Sequence, residues 1–62
     1  MAEIWLGKAR VGSADYDRAP DPGDIVELEV NGKYGDYSVE RRAVYYDRNG
    51  GKTLRLYVAP LG

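Results

Sequence analysis

Two stretches of this chain alternate apolar and polar side chains without a break: Val26-Glu27-Leu28-Glu29-Val30 and Leu54-Arg55-Leu56-Tyr57-Val58. A period of two belongs to an extended strand with one face on a core and the other in water. No segment sustains apolar residues at helical spacing, so an all-β fold is expected. Its size limits that fold. With 62 residues the chain is one domain, residues 1–62, and folding buries only about 60% of the surface of the unfolded chain. There is no Cys and no His. Disulfides, thiolate metal sites and an imidazole base are therefore excluded, and the fold must stand on a thin apolar core.

Four extended runs can be placed. Residues 3–11 put Ile4 and Leu6 on one face and Trp5, Ala9 and Val11 on the other, with a bulge expected at Gly7. The Ser, Asp, Pro and Gly content of residues 13–24 predicts a long irregular connection. Residues 25–30 form the second run, with Val26, Leu28 and Val30 inward. A turn is expected over residues 31–36. In the third run, residues 37–47, Tyr37 and Val39 have one parity and Val44 and Tyr46 the other. A bulge or bend at Arg41-Arg42 would bring both pairs to the core side. The turn Asp47-Arg48-Asn49-Gly50-Gly51 leads into the fourth run, residues 52–59, which Pro60 closes.

The expected architecture is a small curled antiparallel sheet or an SH3-like open barrel of four to five strands joined by hairpins. Pro22-Gly23-Asp24 feeding the alternating strand Ile25 to Val30 and then Asn31-Gly32 resembles the strand entries of SH3-like and AbrB-like small β domains. The resemblance covers 11 of 62 residues, rests on turn chemistry, and implies no function. No apolar run is long enough to span a membrane, and the N-terminus lacks the pattern of a signal peptide, so a cytoplasmic protein without membrane contact is expected.

Charge is unevenly spread. Residues 1–31 carry three Lys or Arg against seven Asp or Glu, a net of −4, while residues 32–62 carry six against three, a net of +3. Such a division marks either a binding face or cross-strand charge pairing. There are six Tyr, one Trp and no Phe. Six tyrosines are too many to bury in so small a domain, and exposed Tyr beside Arg is the composition of protein interfaces.

These features select Arg41, Arg42, Tyr45, Tyr46, Arg48, Lys52, Arg55 and Tyr57 as a candidate binding surface, with Arg55, Tyr57 and one of Tyr45 or Tyr46 on a common outer face. The leading expectation is a non-catalytic interaction module that presents this Tyr/Arg face to a protein partner or to itself. The alternative is single-stranded nucleic-acid binding through residues 37–59, where cations track phosphate and rings stack on bases. The acidic pI of about 5.2 weighs against it. A remote alternative is a calcium-stabilised loop at Asp15, Asp17, Asp21 and Asp24. There Ala19 and Pro20 break the EF-hand spacing, so no metal or other cofactor is assigned. No nucleophile elbow, phosphate loop or dinucleotide fingerprint occurs, and no catalytic residue is assigned.

Overall fold

A computed structural model describes residues 2–61. These form five strands and no helix: β1 (Ala2–Leu6), β2 (Ala9–Ala14), β3 (Ile25–Val30), β4 (Lys33–Tyr46) and β5 (Lys52–Pro60). The strands make one sheet in the order β2-β1-β5-β4-β3, curled into a half-barrel. Neighbours are antiparallel except β1 and β5, which run parallel from Ala2 opposite Leu54 to Leu6 opposite Val58. The expected small all-β curled sheet, consistent with an open barrel, is thus present, but it is mixed and not wholly antiparallel, since β1 and β5 form a parallel pair that alternation alone does not reveal.

Turn chemistry sets the register. Asn31 and Gly32 both have positive φ, 54° and 81°, the requirement of a two-residue type I′ hairpin, and they leave Val30 paired with Lys33. The third run therefore starts at Lys33 and not at Tyr37, and Gly35, expected in a turn, is a strand residue beside the Tyr37 ring. Gly7 corrects a second expectation. Instead of bulging one strand over residues 3–11, it takes φ +64° in a two-residue turn and splits the run into the β1–β2 hairpin. The register shift lies further along, where Ile4 pairs with Gly12 and Trp5 with Arg10, leaving Val11 as the extra residue. As a result β2 runs through Ser13 and Ala14, into the segment expected to be loop.

The phase break in β4 is a bulge, one residue before the expected Arg41-Arg42 pair: Val39 pairs with Val58 and Arg41 with Tyr57, so Glu40 has no opposite residue. The extra residue inverts parity and puts Arg42, Val44 and Tyr46 on the side of Leu56 and Leu54, but only Val39 is buried; Val44 and Tyr46, expected to cover the core, are 50% and 66% exposed. The loop between β2 and β3 returns to this point: Gly23 N donates to Val39 O at 2.8 Å and Val39 N donates to Asp24 O at 2.9 Å.

Ala2, Ile4, Val39, Leu56 and Val58 form the buried core, flanked by half-buried Leu6, Val11, Tyr16, Val26, Leu28, Tyr37 and Leu54. Leu56, on the central strand, has no exposed surface. Truncating a fully buried Leu costs about 2–4 kcal/mol. A chain of this length has a total stability of roughly 3–9 kcal/mol. Leu56→Ala should therefore remove a large fraction of the stability and lower the urea midpoint in proportion, whereas Leu56→Met, which conserves volume, should cost less than about 1.5 kcal/mol. Urea titration followed by Trp5 fluorescence would distinguish the two.

Candidate functional site on the outer face of the sheet

The core direction of Leu54, Leu56 and Val58 forces Arg55 and Tyr57 to the opposite face of β5. Register then fixes their neighbours. On the β1 side Glu3 lies opposite Arg55 and Trp5 opposite Tyr57. On the β4 side Arg41 lies opposite Tyr57 and Ala43 opposite Arg55, with Tyr45 next along the strand. Ala43 is small, which leaves room for the Arg55 side chain to extend across it toward Tyr45.

Guanidinium groups and rings interleave across this face. Arg41 stacks over Tyr57, its Cζ 4.1 Å from the ring centroid. The Tyr57 and Trp5 rings meet at 6.2 Å between centroids with a 37° tilt. Arg55 lies between the same Trp5 ring, at 4.9 Å, and the ring of Tyr45, at 4.3 Å. A layered series results, running Arg41, Tyr57, Trp5, Arg55, Tyr45 over three adjacent strands. Each cation–ring contact is worth about 0.5–1 kcal/mol at such partly exposed positions.

Glu3 holds the middle of the series. Its Oε1 accepts a hydrogen bond from Trp5 Nε1 at 3.0 Å and lies 3.3 Å from Arg55 Nε. The second contact is an ion pair without hydrogen-bond alignment, so the buried Arg55 Nε is left without an acceptor. The Glu3 carboxyl is held below the ordinary glutamate pKa, first by the Trp5 hydrogen bond and then by the Arg10 and Arg55 charges, against an opposing effect of burial. Arg41 has no acidic partner among the described residues. Beside Arg41 and Tyr57 is an open depression of about 350 Å³, bordered also by Gly7, Glu40 and Val58.

Of the eight residues selected from sequence, Arg41, Tyr45, Arg55 and Tyr57 come together here. Tyr45 is the tyrosine that faces outward with Arg55. Arg42 and Tyr46 have the other parity: Arg42 Nη1 reaches back to Asp21 Oδ1 at 2.7 Å, and Tyr46, 66% exposed, lies opposite Lys52. Arg48 lies in the exposed turn after β4. Trp5 and Glu3 were absent from the selected set. Their parity, opposite to Ile4 and Leu6, was the available signal, but only the parallel pairing carries them to Tyr57 and Arg55.

Elsewhere, Asp21 of the Asp-rich loop is taken up by Arg42, and Asp24 Oδ2 accepts from Asp21 N at 2.9 Å. No group of three or more Asp or Glu among the described residues is arranged to hold a metal ion. No helix among them is long and apolar enough to cross a membrane. Comparison with protein-family models, curated proteins and solved structures returned no match.

A depressed folded-state pKa means that the Glu3 contribution to stability is complete above the ordinary carboxylate value and is lost as pH falls through the folded value. The drop in urea midpoint between about pH 7 and about pH 3 should therefore be smaller in Glu3→Gln than in the native chain. An equal drop in both would remove Glu3 as a keystone of this face.

Proposed function

We propose that this chain is a non-catalytic interaction module that docks a protein partner, or a second copy of itself, on the outer face of Trp5, Arg41, Tyr45, Arg55 and Tyr57. The observation that carries the reading is the interleaved series of two guanidiniums and three rings. Trp, Tyr and Arg are the side chains that dominate binding energy at protein interfaces. Held against one another before any partner arrives, they lose little conformational entropy on docking. The depression next to Arg41 and Tyr57 offers a place for one protruding side chain at the edge of the series.

The same stacking weighs against single-stranded nucleic acid. Bases need free ring faces, and Tyr57 and Tyr45 each have one face covered by an arginine of their own chain. Arg42 and Tyr46 point away from the series, which shortens any basic track along the hairpin. An overall net charge of −1 offers little attraction to phosphate.

A photo-crosslinking residue in place of Tyr45 should give a discrete covalent adduct in the expressing cell, either a dimer or a defined heteropartner. The adduct should vanish when Arg41→Ala and Tyr57→Ala are added. The same probe at Tyr46, on the other face, should give none. No adduct from position 45, or equal adducts from both positions, would overturn the proposal. Polarisation of a labelled oligothymidylate of about 20 nucleotides should show no binding at about 50 mM salt. Binding there that is lost in Arg55→Ala and Tyr57→Ala would assign the face to nucleic acid instead.

A further inference from the structure

The half-barrel does not close. β2 and β3 are the two edges of the sheet, and the backbone groups along their outer sides have no strand partner among the described residues. Between them runs an open groove of about 400 Å³, floored by Ile4, Val11, Leu28 and Val30. The edge of β3 beside an apolar floor makes an acceptor for one more strand, since an added strand supplies backbone partners to that edge and a row of inward side chains.

The charge of β3 specifies the occupant. Its side chains alternate, Val26, Leu28 and Val30 inward against exposed Glu27 and Glu29. Neither glutamate has an ion-pair partner among the described residues. On the neighbouring strand Glu27 lies directly opposite Asp36, a like-charge pair that costs stability in the free chain. Glu29 lies opposite Tyr34, which is 71% exposed and offers a ring face to a cation. A strand laid on β3 would have its outward side chains next to Glu27 and Glu29 and its inward ones over the apolar floor.

We propose that the seam between β2 and β3 binds an extended peptide of alternating basic and apolar residues, which adds to β3 as a sixth strand. The basic side chains pair with Glu27 and Glu29 and relieve the repulsion between Glu27 and Asp36. The apolar ones cover Leu28 and Val30. The surface is separate from the Tyr/Arg face and does not depend on that reading.

The probe is the acetylated, amidated peptide Val-Lys-Val-Lys-Val-Lys, titrated into the full chain by calorimetry, with amide chemical shifts recorded in parallel. Saturable binding is expected, with shifts confined to β2, β3 and the adjoining part of β4. N-methylation of alternate peptide amides should abolish it, because those amides are needed for the ladder. The double variant Glu27→Lys with Glu29→Lys should weaken it by about tenfold, the combined effect of two cross-strand charge pairs. Both glutamates are exposed, so these changes leave the core intact. Absence of binding, equal binding of the N-methylated peptide or of Val-Glu-Val-Glu-Val-Glu, or shifts centred on Trp5 and Tyr57 would overturn the proposal. So would sedimentation showing that the free chain dimerises and that the double variant abolishes the dimer, which would give the seam to a second copy.

Discussion

The parallel pairing of β1 with β5 is the constraint on which the rest of the molecule depends. It joins residues more than fifty positions apart, from Ala2 with Leu54 to Leu6 with Val58. Everything between the two strands serves as the crossover that a parallel pair requires. Because partners in register share a face, one pairing does two jobs. On the inner side it sets Ala2 and Ile4 against Leu56 and Val58, four of the five buried apolar residues. On the outer side it sets Glu3 and Trp5 against Arg55 and Tyr57. Core and candidate surface are two faces of one contact, so neither forms without the other.

The bulge at Glu40 has the same double effect on β4. Without it, a strand with Val39 inward would turn Val44 outward and bring Ala43 and Tyr45 to the core side. With it, Arg41 and Tyr45 reach the outer face and Arg42 swings to the other side, where Asp21 receives it. The long loop takes part in this. Its residues Gly23 and Asp24 bond the backbone of Val39 at the point where the ladder is interrupted, while Asp21 takes the displaced guanidinium. A segment whose Asp and Pro content suggested only solvated connection thus seals the edge beside the bulge.

What was legible in the sequence was whatever depends on near neighbours. Alternation placed β3 and β5, the parity change located the irregularity in β4, and Asn31-Gly32 marked a turn, though one of two residues and not of the six expected. Gly7 was ambiguous for a physical reason. A glycine inside an apolar run serves equally as a bulge or as the first residue of a two-residue turn, and only its φ of +64° with Leu6 opposite Ala9 decides. The parallel pair was not legible at all, because no local pattern states which distant strand lies alongside. That is why four members of the stacked series came from the sequence and Trp5, which joins Tyr57 to Arg55, did not.

The division of charge along the chain acquires a spatial meaning from this topology. Cross-strand neutralisation accounts for only part of it: Glu3 meets Arg55 across β1 and β5, and Asp21 meets Arg42 from the loop. Of the remaining charges, Glu27, Glu29 and Asp36 lie on the β3–β4 hairpin, and Arg41 lies on the outer face of the sheet centre against the Tyr57 ring. If pairing within the fold were the purpose of the asymmetry, Glu27 would face a cation and not Asp36. Pairing within the fold therefore does not account for the whole asymmetry, because the cross-strand contacts leave Glu27 against Asp36 on the β3–β4 hairpin and set Arg41 over a ring, not beside a carboxylate.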